Sequence, residues 1–476
     1  MKQILGYLIF SLMLLAQDRF VDFQQGSTTQ ETTKRSDVQS DQAQDVAQNK
    51  IQEKDAQVEE RSLLPQYFSK KLSNGMEVYV IPIRNGSGVI ETNVFYKVGS
   101  RNEIMGKSGI AHMLEHLNFK STKNLKAGEF DEIVKKFGGL TNASTSFDYT
   151  RYFIKSSAQN LDTSLELFAE LLQNLKLDEM EFQPERDVVA EERRWRTDNS
   201  PIGYLYFRLF NTAYVYHPYH WTPIGFMDDI KNWKIEDIRA FHKTFYQPKN
   251  TIIVVAGDIE SELVFQKAQE HFEAIPNTEI KIPEVYMVEP KQDGARHIEI
   301  HKDSQIQYYA LAYKIPNFKH NDQVALDVLG GLLGEGKSSL LYAELVDKKR
   351  IASEVYAYPM DLRDEGIFLI IVAGNKDTKA EQIQIEVQKI LDDLKQGKVS
   401  QADVDKVILN ARASFIYRLE DASSTASLFG EYLAKGDLTP LLNYEKKLKS
   451  LKLEDLVEVV KKYFVSSQST SAFLRR

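Results

Sequence analysis

The order helix, strand pair, helix occurs twice along this chain, once in each half, and nothing else in the sequence limits the fold as strongly. In the first half, residues 130–137 read as a helix stopped by Gly138-Gly139. Residues 140–146 and 150–156 alternate like strands, and 161–175 carry apolar side chains at helical spacing. In the second half, 322–333 and 340–346 read as helices and 354–360 and 367–373 as a strand pair. Residues 379–394 form a long amphipathic helix. The reading is α+β: two homologous domains, each an antiparallel-rich sheet with helices packed on one face. At 476 residues the chain can give both domains a full core. The join falls near 277–293, where Pro276, Pro283 and Pro290 cluster, so the domains are set at 64–280 and 281–476.

Further elements fill in this outline. Residues 68–72, Asn74-Gly75 and 76–83 read as a hairpin with a type I′ turn. Residues 89–98 and 251–256 are strands, and 178–197, 404–419 and 453–464 are helices. Upstream of the folded part, Lys2 precedes an apolar run from Ile4 to Ala16 that is too short to span a membrane. Residues 1–23 therefore read as a signal peptide or an uncleaved N-terminal anchor, which implies export to the periplasm or cell envelope of a bacterium. No aromatic residue occurs between Gln24 and Arg61, so 24–63 reads as a disordered polar linker.

Composition narrows the chemistry. The net charge of −8 and the lack of a long basic run argue against nucleic acid as a partner. The chain has no cysteine, so disulfides and thiolate metal ligands are excluded and any metal must use His and carboxylate. The stretch G-I-A-H-M-L-E-H-L-N-F-K, Gly109 to Lys120, offers such a set. At about 100° per residue, Ile110, Met113, Leu114 and Leu117 share one face, and His112, Glu115, His116 and Phe119 share the other. Two imidazoles one turn apart with a carboxylate between them suit a metal.

A second helix supplies more carboxylate. In P-E-R-D-V-V-A-E-E-R-R-W, Glu185, Val188, Val189 and Glu192 fall on one stripe, with Glu191 about 100° from Glu192. Burying two bare carboxylates on an apolar stripe is costly, so a cation must compensate them. Either Arg186, Arg193 or Arg194 does so, or a divalent metal shared with His112 and His116. The helix at the corresponding place in the second copy, V-A-L-D-V-L-G-G-L-L, has no metal pattern, so one copy at most is catalytic.

H112-M-L-E-H116 followed by E-R-D-V-V-A-E-E resembles the inverted zinc-peptidase family of pitrilysin, insulysin and the mitochondrial processing peptidase. Gly138–Thr150 (G-G-L-T-N-A-S-T-S-F-D-Y-T), His217–Gly225 and Phe245–Asp258 are similar to further landmarks of that family, and the likeness runs from Leu64 to the C-terminus. The resemblance implies one Zn²⁺ per chain, held by His112, His116 and Glu192, with water in the fourth position. It implies Glu115 as general base and Glu185 as a carboxylate orienting a ligand. Asn142 and Ala143 would pair with an extended peptide by β-augmentation, and Phe119 would wall the pocket.

Two features stand apart from that pattern. Gly331–Ser338 reads G-L-L-G-E-G-K-S and matches a phosphate loop, but a helix precedes it where a strand is needed, so nucleotide binding is rejected. Just beyond, many relatives carry an Arg that, with a nearby Tyr, holds substrate over the zinc. Here Leu340 replaces it, beside Tyr342. The expected protein is therefore a zinc metalloendopeptidase for short peptides in a closed chamber. It is expected as the catalytic half of a heterodimer whose related, zinc-free subunit supplies the Arg, with a homodimer as runner-up. The alternative from another class is a non-catalytic scaffold subunit.

Overall fold

The computed structural model describes residues 63–476, of which Leu64–Arg476 form one compact unit. The expected N-terminal segment at 1–23, and the linker at 24–63 except for its last residue, lie outside the described residues. The short apolar runs pair into two sheets. The first contains β1 (Phe68–Lys71), β2 (Glu77–Pro82), β3 (Val89–Tyr96), β4 (Leu140–Thr145), β5 (Thr150–Ser157) and β6 (Thr251–Gly257), in the order β1-β2-β6-β3-β5-β4. The second contains β7 (Arg296–His301), β8 (Tyr308–Ile315), β9 (Ala352–Met360), β10 (Gly366–Gly374) and β11 (Ser469–Arg475), in the order β7-β11-β8-β10-β9. Apart from β1, the two orders are the same, and the parallel pair (β2 with β6, β7 with β11) falls at the same place in each. The repeat read along the chain is thus a repeat of topology.

The helices of the first half are α1 (Ile110–Leu117), α2 (Glu129–Lys136), α3 (Leu161–Asn174), α4 (Glu179–Arg193), α5 (Pro201–Ala213), α6 (Met227–Asn232), α7 (Ile235–Phe245) and α8 (Ser261–Phe272). Those of the second are α9 (Gln323–Gly334), α10 (Ala380–Lys395), α11 (Gln401–Arg418), α12 (Ala422–Lys435), α13 (Thr439–Leu442), α14 (Tyr444–Ser450) and α15 (Leu453–Tyr463). Each sheet buries its Val, Ile and Tyr residues under helices of its own half. The opposite face is covered as well, by one helix from the other half. α12 lies on β3 and β6, and α5 lies on β7, β8 and β11.

This exchange seals polar groups between the halves. Beneath α12, Arg151 donates to Asn93 Oδ1 (2.7 Å), Glu91 Oε1 (2.6 Å) and Ser427 Oγ (2.9 Å). A buried ion pair of this kind is tolerable because each nitrogen of the fork has an acceptor, and removing one partner is what costs. Beside α5, the Nζ of half-buried Lys314 on β8 is itself buried, 3.1 Å from the Tyr214 ring centroid and 3.8 Å from Glu289 Oε1. Burial pushes the Lys314 ammonium down to about 7, against the pull of Glu289. An unfolded lysine keeps its proton up to about pH 10.5, so between about 7 and 10.5 the unfolded chain binds more protons and stability rises with pH. Lys314→Met is therefore expected to raise the melting temperature at pH 7 and below, with the gain fading toward pH 10.5. Glu289 would not be stranded, because it also accepts the N–H groups of Val215, Tyr216 and His217. A gain that is flat across that pH range contradicts a depressed Lys314.

Two local expectations are corrected. Gly75 alone takes positive φ at the first hairpin (+92°), so the turn is not type I′. The Asn74 side chain is drawn instead to Phe272 O and Ile275 O. Val188 is half exposed, so the buried stripe of α4 runs through Phe182 and Val189 without it. In the rejected phosphate-loop pattern, Gly334 serves packing at the end of α9. A Cβ on Gly334 would lie 2.5 Å from Ala357 N on β9.

Candidate metal centre

Apolar burial fixes the pose of α1. Ile110, Met113, Leu114 and Leu117 are all buried, which turns His112, Glu115 and His116 toward α4 and β4. The N-terminus of α1 is held from outside the helix. Glu103 accepts the N–H groups of Gly109 and Ala111 and the Trp221 indole N–H, each at 2.8 Å. Two orphan amides at the start of the helix are satisfied by this one carboxyl group. Burial raises the Glu103 carboxyl to about 8, with these donors acting in the opposite direction. Gly109 itself has φ +85°, and a Cβ there would lie 2.7 Å from Ile224 O.

α4 starts under an Asp178 cap and brings Glu185 and Glu192 to the face of α1 that carries His112 and His116. Glu192 Oε2 is 3.3 Å from His116 Nε2 and 3.8 Å from His112 Nε2. One donor atom from each of the three residues lies within 4.8 Å of the others, and this is the only such group among the described residues. The imidazole rings stand nearly perpendicular, with centroids 4.7 Å apart. Glu185 Oε1 lies 2.8 Å from His116 Nδ1, and its Oε2 is 2.6 Å from Lys120 Nζ. Glu192 Oε1 is 3.0 Å from Arg196 Nη1.

The donor set fits a divalent metal. With Nδ1 of His116 donating to Glu185, its Nε2 presents a lone pair to the Glu192 carboxylate, and two acceptors at 3.3 Å need a cation between them. The electrostatics say the same. Burial opposes charge on His116, yet its bonds to Glu185 and Glu192 push it up to about 10, so a proton fills the need here. Burial would raise Glu192, but the neighbouring His112 and His116 hold it down to about 2. Burial takes His112 down to about 4, so it stays neutral, and its Nδ1 has no partner among the described residues. Two imidazoles and one carboxylate oxygen are a three-ligand zinc set that leaves one position open.

Glu115 is buried beside this group without joining it. Its Oε2 accepts the Thr145 hydroxyl at 2.5 Å, and burial raises its carboxyl to about 7. Thr145 ends β4, the edge strand that carries Asn142 and Ala143. β4 pairs with β5 alone, so one row of its backbone groups is unpaired by any strand. The Ala143 N–H is taken by the Asn142 side chain at 2.9 Å. Phe119 is half-buried against the core, its ring 5.6 Å from Phe130 and 5.8 Å from Tyr152. Tyr342 opens a widened helical stretch, Tyr342–Lys348, and packs partly on the core of the second half.

Four residues around the site were not singled out from the sequence: Glu103, Lys120, Thr145 and Arg196. None of the arginines considered as partners for the α4 carboxylates holds Glu185 or Glu192. Arg194 pairs with Glu191 at the surface, and Arg193 is buried against Gly225 O and Asp198.

Comparison with known proteins follows the same lines. The family model described as Insulinase (Peptidase family M16) matches residues 83–216, and that described as Peptidase M16 inactive domain matches 232–410. The zinc protease PqqE of Helicobacter pylori is 60% identical over 422 residues, covering 88% of this chain and 95% of that protein. A probable mitochondrial-processing peptidase subunit beta of Arabidopsis thaliana is 26% identical, covering 78% of this chain and 71% of that one. Among solved structures, a protease from Helicobacter pylori superposes with a TM-score of 0.86 at 60% identity, covering 87% of this chain and all of that one. The periplasmic protease PqqL from Escherichia coli shares the fold, with a TM-score of 0.72 at 20% identity over 87% of this chain and 48% of that one.

Proposed function

The chain belongs to the insulinase (M16) peptidase family, and we propose on that footing that it is a zinc-dependent endopeptidase for short, extended peptides. The observation that carries the reading is the convergence of His112, His116 and Glu192 beside a buried carboxylate with one oxygen already pinned. His112 and His116 would hold one Zn²⁺ through Nε2, with Glu192 Oε2 as third ligand. Bound zinc supplies Lewis acidity and a water of lowered pKa. Glu115, held through Oε2 by Thr145, would be the general base, accepting a proton at the site and returning it to the leaving amine. Glu185 fixes the tautomer of His116, and Lys120 neutralises Glu185. The free edge of β4 takes the peptide as an added strand at Asn142 and Ala143, once the Asn142 amide releases the Ala143 N–H. Phe119 walls the pocket beside the cleaved bond.

A partner is part of the proposal. Leu340 beside Tyr342 places no guanidinium at that position, which supports a catalytic subunit completed by a related, zinc-free chain carrying that Arg. A homodimer is the other arrangement. The match of 232–410 to an inactive-domain model is what favours a scaffold subunit as the second reading. The apolar run of 4–16 supports a periplasmic or cell-envelope location.

Metal removal tests the function directly. The purified chain is expected to hold one zinc, to lose peptide cleavage on chelation and to regain it with added zinc. Cleavage is expected to rise when a related subunit is mixed in. Full activity of the chain alone, indifferent to a partner, sinks the heterodimer. No zinc and no cleavage under any pairing favours the scaffold.

A further inference from the structure

Glu192 has a partner besides the imidazoles, and that partner sets which of its oxygens faces them. Oε1 is taken by Arg196 Nη1 at 3.0 Å, while Oε2 faces His112 and His116. Arg196 lies in Arg194–Asp198, where the helix widens, and the Asn199 N–H reaches back five residues to Arg194 O at 2.7 Å. Widened turns of this kind interrupt the regular ladder and recur at functional sites. The Arg196 Nε is buried with no partner among the described residues, so Glu192 is the group that this guanidinium serves. Its neighbours on the turn are engaged elsewhere, Arg194 with Glu191 and Arg193 with Asp198.

A carboxylate can bind a metal through one oxygen or through both. Two imidazoles and both oxygens would take four positions of a zinc site, so that a water could join only as a crowded fifth donor. We propose that Arg196 is a positioning residue that holds Oε1 away, presents Glu192 as a one-oxygen ligand and keeps the water position open. A charge-assisted bond to guanidinium is strong enough to compete for that oxygen. The inference rests on the metallopeptidase reading above.

The test uses the full chain with cobalt in place of zinc, comparing wild type, Arg196→Met and Arg196→Lys. The wild type is expected to show the intense visible bands of four-coordinate cobalt, and Arg196→Met weaker bands at unchanged metal content as a fifth donor joins. With zinc, kcat for Arg196→Met should fall about 10–100-fold, the usual cost of losing such a partner, while KM stays nearly constant. Arg196→Lys, which keeps the charge and one donor, should recover part of both. Unchanged bands and kcat in Arg196→Met overturn the proposal. So does a joint loss of metal, activity and melting temperature that Arg196→Lys fails to rescue, since that marks a merely structural arginine. Four-coordinate bands in a wild type that cleaves no peptide, alone or with a related subunit, sink the peptidase reading alone, because the band comparison still decides Arg196. A wild type that binds no metal counts against both.

Discussion

Glu115→Gln is expected to leave zinc bound and to cut peptide hydrolysis by about 10²–10⁴-fold, the range set by losing a positioned general base. The substitution keeps the shape of the side chain, and its carbonyl oxygen can still accept the Thr145 hydroxyl that Glu115 accepts at 2.5 Å. What it removes is the proton acceptor. The burial that raises Glu115 to about 7 also suits it to the task, because such a group can take a proton from a metal-bound water and release it again near neutral pH. The metal donors are untouched, so zinc content should match wild type. Replacing His116 with Ala has the opposite signature, since it removes a metal donor and leaves Glu185 to Lys120 and Glu192 to Arg196. Zinc per chain and turnover of a fluorogenic peptide, measured on the same samples, separate the two. An isosteric variant that keeps more than about a tenth of the rate would remove Glu115 from the chemistry.

The parts of this molecule that were legible in the sequence are those written in a local period. α1 sorts its two faces at 3.6 residues per turn, and β4 and β5 alternate at two, so the pose of His112, Glu115 and His116 and the strand beside them follow from patterning. Glu185 and Glu192 were legible for the same reason, as carboxylates on a stripe that also holds Val189. The residues that were not legible act across sequence. Glu103 caps α1 from seven residues before its first turn. Lys120 and Arg196 read as ordinary surface charge until their partners come near, and Thr145 looks like any strand-end hydroxyl. Helices α5 and α12 carry the same kind of apolar face as their neighbours, and nothing in that face says which sheet it will cover. That choice is made by fit between surfaces distant in sequence, which periodicity does not encode.

Gly430→Ala should therefore be among the most damaging single changes outside the metal site, at about 2–3 kcal/mol, the upper part of the range for overpacking. Gly430 lies inside α12, and a Cβ there would fall 2.0 Å from Cε2 and 2.2 Å from Cζ of Phe95 on β3. Phe95 is fully buried, with Tyr149 at 5.6 Å and Arg151 over its ring at 5.8 Å, so the ring has nowhere to go. The helix must lift instead, and lifting it pulls Ser427 from Arg151 and disturbs the buried pair with Glu91. Alanine favours a helix interior over glycine by about 1 kcal/mol, so the measured loss is already net of that gain. Gly294, where a Cβ would meet nothing within 4 Å, is the control, and Gly294→Ala should change stability by less than about 0.5 kcal/mol. Adding Phe95→Leu to Gly430→Ala should recover part of the loss, and chemical denaturation of the four proteins of that cycle gives the coupling between helix and strand. If the two halves were held together elsewhere, Gly430→Ala would cost no more than the control. A loss shared by both halves in one transition would mean that a helix from the second half is part of what keeps the zinc-bearing sheet folded.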